Sequence, residues 1–157
     1  MNNVISPFYL LPAAMFASKN PFVVSTLLGS CVSVCLYDQK RQFGGINHFL
    51  LPRWNGEGVP SPKYGDIAIK FLIQRMLNLG SKKENLVAKV FGGAEIIGTT
   101  AFPYKIGNQN IKLAFSVLSS EKITIVAKHV GGRKAMQLRY YTKTGGVKVR
   151  IHNGSIS

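Results

Sequence analysis

The chain has 157 residues, 46% of them hydrophobic, with only two cysteines. That is enough apolar material for one sizeable core, too much for a disordered chain, and too little cysteine for a disulfide framework. Twenty Lys and Arg against six Asp and Glu leave a formal charge of +14, a field that attracts acidic partners: nucleic acid, an anionic membrane surface or an acidic protein.

The charge is unevenly spread. Up to Gly80 there are seven basic and three acidic residues; beyond it there are thirteen and three. No apolar run approaches the roughly 18 residues of a membrane span, so no membrane insertion is expected. The N-terminus lacks a basic stretch followed by an apolar one, so the expected address is the cytoplasm.

Residues 1–22 are apolar but irregular, punctuated by Pro7, Pro12 and Pro21. Residues 8–11 and 15–17 read as short strand fragments, and Asn20-Pro21 as a turn. Residues 22–28 form a β-branched apolar run and read as a strand, broken by Gly29-Ser30. A second strand follows over 32–37. On it Cys31, Ser33, Cys35 and Tyr37 face one way and Val32, Val34 and Leu36 the other. The polar residues 38–41 make a hairpin loop, and 43–51 the return strand carrying His48. A turn near residue 40 puts Cys31 opposite residue 49 and Cys35 opposite residue 45, within one or two residues, which brings His48 within reach of Cys31.

A Gly- and Pro-rich loop over 53–62 follows. Ser61-Pro62 reads as a helix start and Gly80 as its stop, with Ala68, Leu72, Met76 and Leu79 on a wide buried face. Residues 85–91 read as a strand closed by Gly92-Gly93-Ala94, and 96–100 as a loop. A second helix spans about 110–120, opened by Gly107-Asn108. Residues 123–130 read as a strand, 131–133 as a tight turn, and 138–142 with 147–151 as a terminal hairpin. No internal repeat or linker divides the chain. The expected fold is α/β in the α+β sense, one domain over 1–157, with layered mixed sheets flanked by two main helices.

Cys31 follows a Gly-Ser turn at a strand start, so the turn's backbone N–H groups at Gly29 and Ser30 are placed to hold an oxyanion. A nearby imidazolium and a positive field favour a thiolate nucleophile there. The alternative is a buried apolar cysteine. Cys35 sits deeper and reads as core. His48 is either the base for Cys31 or a satisfied strand histidine. His129 and His152 have no catalytic company in sequence and read as structural or surface residues. A zinc site from Cys31, Cys35 and His48 lacks an evident fourth ligand. Cys31 and Cys35 cannot form a disulfide along one strand, since about 13 Å separates such positions against the roughly 6 Å allowed. Neither Gly92-Gly93 nor Gly131-Gly132 belongs to a phosphate loop, and both read as turns.

Several pieces taken together resemble the CheD family, the chemoreceptor glutamine deamidases of bacterial chemotaxis. They are Thr26-Leu27-Leu28-Gly29-Ser30-Cys31-Val32-Ser33-Val34-Cys35-Leu36-Tyr37-Asp38, Gly45-Ile46-Asn47-His48-Phe49-Leu50-Leu51-Pro52, Lys63-Tyr64-Gly65-Asp66, Lys89-Val90-Phe91-Gly92-Gly93-Ala94 and Val130-Gly131-Gly132-Arg133. They lie in family order over residues 20–150. The resemblance implies a cysteine hydrolase fold related to deamidating toxins, with Cys31 as nucleophile and His48 as base. The family's third catalytic group is a threonine six residues before the cysteine. Here that position is Ser25, with Thr26 beside it, so either residue is a candidate. His129 stands where the family often has an acidic residue.

The implied reaction is hydrolysis of glutamine side-chain amides on methyl-accepting chemotaxis receptors, without metal or organic cofactor. The implied partners are receptor cytoplasmic helices and a CheC-type phosphatase. Two other readings compete: a weakly catalytic or non-catalytic holder of that phosphatase, and a basic nucleic-acid binder. No nucleic-acid recognition motif supports the second, and no nucleic-acid partner is expected.

Overall fold

A computed structural model describes residues 4–96 and 105–152. It contains two sheets and two main helices, an α+β architecture as expected. The strands are β1 (Ser6–Tyr9), β2 (Met15–Ser18), β3 (Phe22–Leu28), β4 (Val32–Asp38), β5 (Phe43–Asn47), β6 (Leu86–Gly92), β7 (Thr124–Val130), β8 (Met136–Tyr141) and β9 (Val147–Ile151). The helices are α1 (Gly65–Asn78) and α2 (Ile106–Ser120).

One sheet has the order β2-β5-β4-β6-β7, the other β1-β3-β8-β9. Consecutive strands are therefore divided between sheets, and β4 becomes the centre of the five-stranded one. Its alternation explains how it is buried on both faces. Val32, Val34 and Leu36 join Ala68, Leu72, Leu113 and Leu118 in a core beneath the helices. Cys35 joins Val24, Leu28, Ile46, Leu138 and Tyr140 in a second core between the sheets, with Cys31 packed against it. The layers run helices, five-stranded sheet, four-stranded sheet.

The structure refines several boundaries. α1 begins at Gly65 rather than at Ser61-Pro62; the intervening residues form a turn in which Tyr64 N–H donates to the Ser61 carbonyl at 3.1 Å. Gly65 abuts the Phe49 ring, leaving no room for a Cβ there. α2 begins at Ile106, a turn earlier than its apolar spacing suggests. Of the loop expected over 96–100, Ile96 has no regular structure and the remainder lies outside the described residues. The return strand expected over 43–51 stops at Asn47 and continues only as single bridges from Val32 to Phe49 and from Leu51 to Tyr64. That interruption creates the site.

Candidate active site

Val32 lies opposite Phe49 and Cys35 opposite Ile46. Ser33 therefore falls opposite His48, and Cys31 stands one rung on. The pairing is one residue away from the sequence expectation that Cys31 would face residue 49. That shift matters: the expected register would turn His48 away from Cys31, whereas the observed diagonal relation puts both on one face of the sheet, where such neighbours lie roughly 7–8 Å apart at the backbone, within reach of long side chains. Val32 and Phe49 point the other way, into the helix-side core.

Three contacts break β5 at His48 and hold the ring. The Asn47 side chain takes a rung of the ladder, its Oδ1 accepting from Val34 N–H at 2.8 Å. The His48 carbonyl accepts from Ala13 N–H at 2.8 Å. His48 Nδ1 lies 2.7 Å from Thr26 Oγ1, which is itself 2.8 Å from the Leu10 carbonyl. A carbonyl only accepts, so the Thr26 hydroxyl hydrogen goes to Leu10. Nδ1 must then carry the ring hydrogen and donate to Thr26. The lone pair is left on Nε2.

Thr26 comes from β3, in the other sheet, so this contact spans the inter-sheet layer. Along β3, Val24, Thr26 and Leu28 are buried while Leu27 is exposed. Ser25 falls on the outer side, paired with Tyr9 and Arg139. Of the two hydroxyls left open by the sequence, Thr26 meets the imidazole and Ser25 does not.

The Gly29–Cys31 turn is held by its carbonyls. Gly29 O accepts from Ala94 N–H at 2.9 Å and Cys31 O from Gly93 N–H at 2.9 Å. Asn110 Nδ2, from α2, donates to Ser30 O at 3.0 Å and to Leu50 O at 2.9 Å. Gly92-Gly93, a simple turn in sequence, thus forms the seat of the cysteine loop. Gly92 has φ +102, and a Cβ there would strike the Cys31 carbonyl.

Burial governs the electrostatics. His48 is 3% exposed, and loss of solvation lowers its pKa to about 4. Burial raises the half-buried Cys31 thiol to about 11, partly offset by its own backbone N–H. The resting pair is therefore a neutral thiol and a neutral imidazole. This corrects the expectation of a thiolate held by an imidazolium: the inter-sheet layer penalises both charges. Cys35, 1% exposed, is shifted upward further still by burial. Among the described residues, no three of His, Cys, Asp and Glu gather into a metal-binding group. His129 and His152 lie exposed, apart from these residues. Asn110 and the Leu10 carbonyl were not singled out by sequence reasoning; both act through long-range contacts that leave no local pattern.

A family model described as CheD chemotactic sensory transduction matches residues 50–151. The chain belongs to the CheD family. A relative from Trichlorobacter lovleyi is 46% identical over 143 residues, covering 91% of this chain and 89% of its own. One from Sulfurimonas denitrificans is 42% identical over 143 residues, covering 90% and 92%. One from Rhodospirillum rubrum is 40% identical over 157 residues, covering 100% and 88%. Each carries the name "Probable chemoreceptor glutamine deamidase CheD". The Rhodospirillum match runs the whole chain, so it takes in Thr26, Cys31 and His48, which precede the CheD model's first matched residue.

Proposed function

We propose that this chain is a chemoreceptor glutamine deamidase working through Cys31, His48 and Thr26. The observation that carries the mechanism is the Leu10–Thr26–His48 relay, which leaves the Nε2 lone pair on the sheet face shared with Cys31. The CheD-family names supply the substrate class.

In this reading, Nε2 takes the Cys31 proton as sulfur attacks the carboxamide carbon of a glutamine side chain. The carbonyl oxygen becomes an oxyanion, held by backbone N–H groups of the Gly29–Cys31 turn. The His48 proton passes to the nitrogen, the C–N bond breaks, and ammonia leaves a thioester. Water, deprotonated by His48, attacks the thioester; glutamate departs and the thiol is restored. Thr26 positions the ring and fixes its tautomer, as the third member of a triad does. The neutral resting pair means that the proton moves to His48 only as sulfur attacks, not in the free enzyme. No metal or organic cofactor enters these steps.

The domain acts as a unit over 1–157, in the cytoplasm, with receptor cytoplasmic helices as substrate. Arg139 pairs across from Lys148, and Gln137 from Arg150, on the outer face of the four-stranded sheet. Like charges directly opposed weaken a sheet, and this basic face suits an acidic protein surface. A CheC-type phosphatase is the further partner implied by the family resemblance.

The test is mass spectrometry of a receptor cytoplasmic fragment incubated with the protein at low and high salt. Conversion of specific glutamines to glutamate, slowed by salt, supports the reading. Unchanged glutamines at every salt concentration would overturn it.

A further inference from the structure

Asn110 lies wholly buried in the first third of α2, between the nucleophile's turn and the irregular segment that follows the base. Both hydrogens of its Nδ2 are used, one on Ser30 O and one on Leu50 O. Among the described residues, its buried Oδ1 has no hydrogen-bond partner. Turning the amide over would set that oxygen against two carbonyl oxygens, so the orientation follows from the chemistry. An orphaned buried acceptor costs free energy, and a core helix position has apolar alternatives. The cost is accepted for what the two donated bonds accomplish.

We infer that Asn110 is a positioning residue that aims the oxyanion donor of the proposed Cys31 site. The Ser30–Cys31 peptide is trans, so its carbonyl and its N–H point in opposite directions. Asn110 fixes the carbonyl on the α2 side. The Cys31 N–H is thereby turned away from α2, and it lies against its own sulfur, where the oxyanion of an attacked carbonyl would form. The neighbouring carbonyls of Gly29 and Cys31 are tied by backbone groups of Ala94 and Gly93. For the peptide that carries the Cys31 N–H, the holding group is a side chain. Through Leu50 O the same amide ties this peptide to the segment just past His48, so one residue holds the nucleophile turn and the base segment together.

This inference rests on the proposed deamidase chemistry, and its test separates the two. Asn110→Leu keeps the shape and removes both donors. Leu118→Ala, a buried change at the far end of α2, serves as a control for lost stability. At a temperature where circular dichroism shows both variants folded, Asn110→Leu is expected to lower kcat about 10- to 100-fold, in line with loss of an aligned oxyanion donor. KM should stay within about threefold, and alkylation of Cys31 by iodoacetamide, which needs no oxyanion site, within a few-fold. Leu118→Ala should keep its kcat. An Asn110→Leu protein with wild-type kcat, or with only KM changed, overturns the inference. If Asn110→Leu does not fold, Asn110→Ser, whose hydroxyl serves one carbonyl at a time, should give an intermediate kcat; wild-type kcat there is equally contrary. Should the wild-type protein release no ammonia at all, the deamidase reading fails by itself. The positional role is then read from the amide resonance of Cys31, expected to move in either Asn110 variant while that of Cys35 stays; an unmoved Cys31 resonance contradicts it.

Discussion

At its C-terminal end, β4 closes on Asp38, whose buried carboxylate has every need met. It accepts from Ser81 Oγ at 2.6 Å and from the N–H groups of Lys40 and Arg41 at 3.0 and 2.9 Å, with Arg41 nearby as a counter-charge. Burial pushes its pKa upward, but these donors outweigh it and hold the carboxyl below its ordinary range. At the N-terminal end, the same strand begins beside Cys31, where thiol and imidazole are both kept neutral. The buried side-chain atoms without hydrogen-bond partners among the described residues gather there: Ser33 Oγ opposite His48, Asn47 Nδ2 beside it, and Asn110 Oδ1 beneath the turn. One end spends its polar groups on closing a hairpin. The other leaves buried polar atoms without partners around a reactive pair, a local cost of the kind that functional sites carry.

Substitutions can sharpen this contrast. Among the residues that serve the nucleophile, the largest effect is expected from His48→Ala, which removes the base and should lower kcat at least about 100-fold. Thr26→Val should follow at about 10- to 100-fold, because the ring loses the partner that fixes its tautomer. Ser25→Ala, one residue away on the outer side, should stay within about twofold. Ammonia release by the three variants is the measurement, and equal losses for Thr26→Val and Ser25→Ala would break the assignment. At the other end of β4, Asp38→Ala should cost about 2–4 kcal/mol by chemical denaturation, since a buried hydrogen-bonded group is lost. Its kcat per folded molecule should be unchanged.

A smaller effect concerns pH. The folded state holds His48 neutral down to about 4, against an ordinary value of 6.5. The unfolded chain therefore binds more protons between those values. The corresponding stability is fully present above pH 6.5 and is lost as pH falls toward 4, by on the order of 3 kcal/mol. His48→Gln should flatten that part of the denaturation profile. A wild-type profile already flat from pH 6.5 to 4 would mean that the imidazole is not held neutral.

Much of the site was legible before the fold was known. Alternation along residues 31–37 and a short polar loop were enough to bring Cys31 and His48 close together, but not to put them on one face: pairing Cys31 with residue 49 would turn His48 away, and the one-residue shift in the fold is what aligns them. The choice between Ser25 and Thr26 was not legible. Both lie in an apolar alternation, and only the placement of β3 in a second sheet decides which side is buried. The neutral state of the pair was hidden for the same reason: it comes from the layer above, not from neighbours in sequence. Leu10 acts through a carbonyl that any residue possesses, and Asn110 reads as an ordinary helix residue until its long-range carbonyl partners are in view.

The most direct measurement compares two thiols four residues apart on one face of the sheet, Cys31 just before β4 and Cys35 within it. Cys31→Ala and Cys35→Ala each remove a single sulfur, and ammonia release from a receptor fragment is followed for both. The expected result is no release above background with Cys31→Ala and near-wild-type release per folded molecule with Cys35→Ala. Continued release from the Cys31 variant would contradict the assignment of the nucleophile outright.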